Sequence, residues 1–309
     1  MFVYVMSLFV FWTVMAISWA EKPSDVELSP QSMTVDITMI PLDVQEAYEK
    51  SRGLTLPERM KMVTEPMLGL PYLINGIGEQ KAPDFDPIVR YDAFDCLTFV
   101  EEALALSLGN TPDEIHQIRK ELRYGDGPIT YENRNHFMIS QWIPNAIEKG
   151  YLVDITHTLG ETHVVSKTIT KQTWSRWRGR HWFEFPVEHF PVGTYQIGVL
   201  GLDAAQAAIP KIPEGALILY VRQSNIHNPI WIAHLGFVVH HSEDNIRMRH
   251  ATKMSKGIVK EHSLRWYFDH IRTYPRPIEG IMVLMPQEKS VVVDPSHLPI
   301  QPQVIPNPQ

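Results

Sequence analysis

Residues Asp95–Leu108, DCLTFVEEALALSL, hold the reading from which the rest of the fold follows. Leu97, Val100 and Leu104 stand at i, i+3 and i+7, one apolar stripe of a helix that begins at Asp95 or Cys96 and closes at Gly109-Asn110. Working forward, Thr111-Pro112-Asp113-Glu114 is a capping pattern with proline at the first helical position, and Ile115, Ile118 and Leu122 form the stripe behind it. A third helix spans about Asn135 to Lys149, with a kink expected at Pro144 and a cap at Gly150. Working backward, Leu56-Pro57-Glu58 starts a helix that runs to Leu68-Gly69-Leu70-Pro71-Tyr72. After residue 151 the period changes: 216–221, 232–239, 246–251 and 280–285 are short apolar or alternating runs, the pattern of strands. Helices first and strands after give an α+β chain. Residues 160–195, dense in Trp, Arg, His and Thr, fit neither period.

The flanks have a different character. Met1–Ala20 contain no charged side chain, and Ser18 and Ala20 bracket Trp19, which suits signal-peptidase cleavage after Ala20; an uncleaved N-terminal anchor is the alternative. Either way export to the periplasm or the medium is expected, with membrane contact only if the segment is retained. Residues 21–45 read as an extended segment, 46–286 as one catalytic-sized domain with an insertion near 157–205, and 287–309 as a Pro-rich tail. Residues 73–92, with Gly76, Gly78, Pro83 and Pro87, read as a long irregular loop, a length that in a compact domain usually serves function. The composition, 44% hydrophobic and 20% charged, is that of a packed domain, and a net charge of -7 argues against nucleic acid as the main partner.

Cys96 is the sole cysteine, so it has no internal disulfide partner. In an oxidising compartment a lone thiol is a liability unless it has a task; a small buried hydrophobe is the other reading. Its place at a helix start favours the task. Unpaired backbone N–H groups and the positive end of the helix dipole favour a thiolate there and can bind an oxyanion. Asp95 is suited to cap the helix.

A thiol nucleophile needs a base, and His234 is the candidate. It lies in Ile232-Ala233-His234-Leu235-Gly236-Phe237-Val238-Val239, where Leu235, Phe237 and Val239 alternate toward a core and leave His234 and Gly236 on the other face. Gly236 is expected to keep that face low for a substrate. If 241–245 form an odd-length hairpin loop, His250 falls on the face of His234 and can orient its ring; an even loop would place it on the opposite face.

These residues resemble the NlpC-type cell-wall peptidases, a family with a trimmed papain-like fold. Leu68–Tyr72 resembles its Gly-x-Pro-Tyr segment, Asp95–Val100 its Asp-Cys-Ser-Gly-Phe-Val block, and Pro213–Ile218 its Pro-Gly-Asp-Leu-Val block. His234–Phe237 resembles His-Val-Gly-Ile, and Arg249-His250-Ala251 the block of the third catalytic member. A closer likeness is to the N-acetylmuramoyl-L-alanine amidase-like branch, in Asp95–Glu101, in Arg134-Asn135-His136-Phe137 through Trp142-Ile143, and in Gly280–Val283. Thr98, Ala216 and a longer hairpin depart from most relatives. The resemblance implies N-terminal helices packed on an antiparallel, barrel-like sheet, a Cys96–His234–His250 site, and no cofactor. It implies that Tyr72 borders the substrate near the oxyanion, and that Arg134 and His136 stand near the pocket. The implied partner is peptidoglycan or a murein peptide, cut either at the N-acetylmuramoyl–L-alanine amide or between D-glutamate and a diamino acid.

Three rivals stand beside this reading. A metallohydrolase lacks support, since no His-Glu-x-x-His occurs and the adjacent His240 and His241 point to opposite faces of a strand. A non-catalytic wall-binding module would have little reason to keep a free thiol. An acyltransferase would use the same Cys–His chemistry with another acceptor.

Overall fold

Helix α1 (Leu42–Ser51) and helix α2 (Leu56–Val63) precede the cysteine helix α3 (Cys96–Leu108) and its partner α4 (Pro112–Tyr124). The computed structural model describes residues 40–74, 89–183, 186–223, 228–254 and 256–288. The expectations for Met1–Ala20, for most of the N-terminal segment and the 73–92 loop, and for the tail beyond 288 therefore lie outside the described residues. Within the segment expected to be extended to residue 45, α1 already begins at Leu42. Among the described residues no helix is long and apolar enough to cross a membrane.

Local chemistry sets the helix ends. Thr55 and Glu58 form a reciprocal capping box at α2, with the Thr55 N–H donating to Glu58 Oε2 at 2.9 Å. Thr111 caps α4 by accepting from the Glu114 N–H at 3.2 Å. Between α3 and α4 the chain turns at Gly109, where a Cβ would stand 2.7 Å from Ile115 Cγ1, so only glycine lets the two helices approach. α3 is buried almost all round, two glutamates included. Glu102 takes a two-pronged contact from Arg119 at 2.7 Å, and Glu101 accepts from Arg123 at 2.9 Å and from Trp142 Nε1 at 2.9 Å. Losing one partner of such a buried pair strands the other charge, so the pairs lock the register of α3 on α4. The expected kink at Pro144 is resolved as a π-turn, Met138–Trp142, running into α5 (Ile143–Glu148). Proline has no N–H and its ring crowds the carbonyl four residues back, which widens the preceding turn.

The strands are β1 (Leu152–Asp154), β2 (His163–Ile169), β3 (Gly193–Gly201), β4 (Leu217–Arg222), β5 (Ile232–Ser242), β6 (Asn245–Thr252), β7 (Ile258–Ser263) and β8 (Ile278–Pro286). They form one antiparallel sheet in the order β2-β3-β8-β4-β5-β6-β7, with β1 also paired to β8. The sheet is open, since β2 and β7 do not pair, and this corrects the barrel-like expectation. Helices on both faces make closure unnecessary. Leu217, Leu219, Leu235 and Phe237 pack on one face with Phe99 and Val100 of α3. Ile218, Tyr220, Val238 and Met248 pack on the other with Ala205 of α7 (Leu202–Ala208) and Phe268 of α8 (Leu264–Ile271). Burial on both faces explains why 216–221 is a continuous apolar run rather than an alternation.

The unassigned region takes part in the same architecture. β2 and β3 pair along their full length and extend the sheet beyond β8. Its aromatic residues stack instead of decorating a surface: Trp174 lies 4.6 Å from Phe137 and 4.8 Å from Phe190, ring centroid to centroid. α6 (Lys171–Arg176) carries Trp174, whose indole N–H donates to the Pro191 carbonyl at 2.7 Å.

Candidate active site

Cys96 is the first residue of α3, and Asp95 is its cap. Asp95 Oδ1 accepts from the Leu97 N–H at 2.9 Å and the Thr98 N–H at 2.8 Å, while the Asp95 N–H donates to Thr98 Oγ1 at 3.0 Å. Thr98, a departure from most of the relatives the motif resembles, thus completes a capping box. Two of the first-turn N–H groups are committed to Asp95.

Cys96 as a residue is half-buried, with its thiol turned inward. Burial, and after it the Asp95 carboxylate, pushes the Cys96 thiol up to about 12. The backbone N–H groups of Leu235, Cys96 and Leu97 act in the opposite direction and are outweighed. A thiolate favoured by the helix end was the expectation; the resting group is a thiol, because desolvation penalises the anion more than the helix end rewards it. The influence of the Leu235 N–H also puts the sulfur beside β5, next to the residue that follows His234.

His234 Nε2 lies 2.6 Å from His250 Nδ1, and His250 Nε2 lies 2.8 Å from His262 Nδ1. Three imidazoles on β5, β6 and β7 thus form one chain. His250 is wholly buried and His262 is 8% exposed. Burial lowers the pKa of all three, His234 to about 3 and His262 to about 4; neighbouring imidazoles add to it at His234 and His250, and Lys260, Arg247 and His270 add to it at His262. The chain is neutral at pH 7. Each link then carries one proton, so the polarity is shared: if His234 offers Nδ1 as an acceptor, its Nε2–H donates to His250, and the His250 Nε2–H donates to His262.

The alignment of His234 with His250 comes from a bulge. The turn between β5 and β6 has two residues, Glu243-Asp244, not five, since Ser242 pairs with Asn245. A two-residue turn alone would put His250 on the wrong face. The register shifts by one between His240 and Ser242, and Phe237 then pairs with Arg249, which restores the parity an odd loop would give. Gly236 faces His250, and a Cβ there would stand 2.7 Å from His250 Cβ and 2.8 Å from the Arg249 carbonyl. The glycine therefore makes room for His250.

Tyr72 is held from two sides. Its N–H donates to the Gly257 carbonyl at 2.8 Å, and it bridges Phe94, two residues ahead of Cys96. Lys253 Nζ stands 5.8 Å from its ring centroid. Arg134 and His136 are fixed elsewhere: Arg134 is buried against the Tyr124 ring at 5.6 Å, and His136 Nε2 meets the Tyr131 carbonyl at 2.7 Å. His136 also meets the rings of Tyr131, Phe137 and Phe183, which join it to the aromatic cluster around Trp174.

His262 was not singled out from the sequence. The available signal was register: His250 pairs with Lys260, and His262 is two residues on, on the same face. Its ring stacks on Trp266 at 4.9 Å, and Trp266 stacks on His270 at 4.9 Å. Tyr267 stands edge-on to His250 at 5.1 Å and closes the apolar side of the chain. Among the described residues no group of His, Cys, Asp and Glu is arranged to hold a metal ion.

Solved structures share this architecture. A Legionella pneumophila protein of the DUF1460 family superposes with a TM-score of 0.68 at 23% identity, covering 79% of this chain and 93% of its own. An N-acetylmuramoyl-L-alanine amidase from Bacteroides uniformis gives 0.61 at 20% identity, covering 75% and 99%. At these identities the likeness is one of fold. No curated protein sequence matches the chain. The sequence model of the AmiA-like, N-acetylmuramoyl-L-alanine amidase-like family matches residues 62–274, a span that runs from the end of α2 through α8 and includes Cys96 and all three histidines, and the chain belongs to that family.

Proposed function

We propose that the chain is an exported cysteine amidase of the cell wall, built on a papain-like scheme, that hydrolyses an amide bond of the peptidoglycan stem. Membership in an N-acetylmuramoyl-L-alanine amidase-like family supports the substrate class and favours the muramoyl–L-alanine bond over the D-glutamyl–diamino acid bond. The observation that carries the mechanism is the thiol at a helix start beside β5, with the ring of His234 held by His250 at 2.6 Å. Export rests on the apolar Met1–Ala20 segment.

In this reading Cys96 Sγ attacks the amide carbonyl as its proton passes to His234 Nδ1, so that a neutral pair becomes charged only in the transition state. The Cys96 N–H, which Asp95 does not occupy, and the neighbourhood of Tyr72 receive the oxyanion. His234 then gives the proton to the departing amine and the C–N bond breaks, leaving a thioester. Water, deprotonated by His234, adds to the thioester and releases the acid and the thiol. His250 keeps the ring in the productive tautomer.

Digestion of purified peptidoglycan and of soluble muropeptides by wild type and Cys96→Ala, read by mass spectrometry, tests the proposal. A free muramoyl lactate together with an intact stem peptide is the expected product pair, absent with Cys96→Ala. Equal products from both proteins would reject Cys96 as the nucleophile.

A further inference from the structure

Lys167, on β2, is 6% exposed. Its ammonium donates to the Asn228 carbonyl and stands 5.5 Å from the Trp231 ring centroid. Among the described residues no carboxylate pairs with it, and burial alone, with no charged neighbour contributing, lowers its pKa to about 8. Lysines on a surface run their stems along apolar groups and leave the head in water; here the head is buried too. An ammonium has three donors, and one is used. Beside it Trp231 is 2% exposed, and its indole N–H has no acceptor. A buried donor without an acceptor is rare and costly, and an orphaned indole N–H beside a buried ammonium that has one acceptor and no counter-charge needs a reason.

Their place in the fold supplies one. β3 meets β8 only at Leu200 and Gly201, so the rest of the β2–β3 hairpin overhangs the sheet. Lys167, opposite Tyr195 in that overhang, reaches the segment that leads into β5. Trp231 is three residues ahead of His234, with a register shift at Ala233 between them, so at most about 10 Å of chain separates the two. Trp231 and Cys96 pack against the same core, on the α3 face of the sheet.

We propose that Lys167 and Trp231 form a carboxylate-binding subsite that holds a free carboxylate of the peptide stem while the scissile amide lies at Cys96. This deepens the reading of the chain as a stem-peptide amidase and rests on it. An extended peptide covers about 3.5 Å per residue, so the carboxylate belongs within about three residues of the bond that is cut. The indole N–H and the ammonium would supply a carboxylate with charge-assisted hydrogen bonds between two buried side chains.

The test uses synthetic muramyl peptides that differ only in carrying a free acid or a carboxamide at one stem position. Wild type should prefer the acid by about 10- to 100-fold in kcat/KM, mostly through KM, the range expected of a buried charge-assisted contact. Lys167→Met should bring the acid-to-amide ratio near one, and Trp231→Phe should lower it several-fold. The Tm of Lys167→Met should be no lower than that of wild type, because an unpaired buried charge is removed; Lys167→Gln serves if the Met variant does not fold. Calorimetry of the acid probe with Cys96→Ala, with and without Lys167→Met, reads the subsite even if no probe is cleaved. Wild-type indifference between acid and amide overturns the proposal, as does a preference or an affinity for the acid that survives loss of Lys167.

Discussion

Replacing His262 by phenylalanine should make the protein less stable at neutral pH and relatively more stable in acid. At pH 7 the substitution leaves the His250 Nε2–H, which now meets His262 Nδ1 at 2.8 Å, without an acceptor. A buried donor orphaned in this way costs about 1–3 kcal/mol. The acid effect has the opposite sign. Folded His262 has its pKa lowered from 6.5 to about 4, so between those values the unfolded chain binds a proton that the folded chain refuses. Stability contributed by the neutral ring is complete above pH 6.5 and is lost as pH falls toward 4. The slope is about 1.4 kcal/mol per pH unit, or roughly 2.7 kcal/mol between pH 6.5 and 4.5 for this residue. Phenylalanine abolishes that term, so the deficit of the variant should shrink to near zero, or invert, by pH 4.5. Guanidinium unfolding followed by tryptophan fluorescence at pH 7 and pH 4.5, on both proteins, measures it. Parallel losses of stability in the two proteins would refute the buried neutral chain. His262→Gln, whose amide oxygen can accept from His250, should recover activity at pH 7 where phenylalanine does not.

Two further expectations concern the same chain. With His234 lowered to about 3, kcat/KM should hold between pH 7 and pH 5, whereas an ordinary histidine would lose about 25-fold in its neutral fraction; an acid limb near 6.5 in the rate profile would contradict the burial of His234. Gly236→Ala should cost about 1–3 kcal/mol in denaturant unfolding, as overpacking does, and lower kcat more than it raises KM, since the new methyl would displace His250 from His234. An unchanged kcat would show that the His250 contact is dispensable.

Much of this protein was legible before folding. The DCLTFVEE helix, its cap at Asp95, and strands read at 216–221, 232–239, 246–251 and 280–285, within a few residues of their observed ends, follow from period, capping chemistry and turn residues, which act within a few positions of the chain. The sharing of one face by His234 and His250 was anticipated, though by the wrong turn: a local bulge at His241, not loop length, sets the parity. Everything that depends on segments far apart in sequence waited for the tertiary structure. The sheet stays open because helices from both ends of the chain cover its two faces. Arg134 and His136 carry polar groups in a motif, and the rings they meet, Tyr124 for one and Phe183 for the other, come from segments that only folding brings beside them. Cys96 sits at a helix end that should favour its anion, and only the depth of its burial against β5 decides that it rests as a thiol. His262 joins the chain of imidazoles because β7 pairs with β6 in one register, a fact no single strand contains. Local patterns name the residue types that can do chemistry; desolvation and register, which are sums over distant contacts, decide in what protonation state and with which partners they do it.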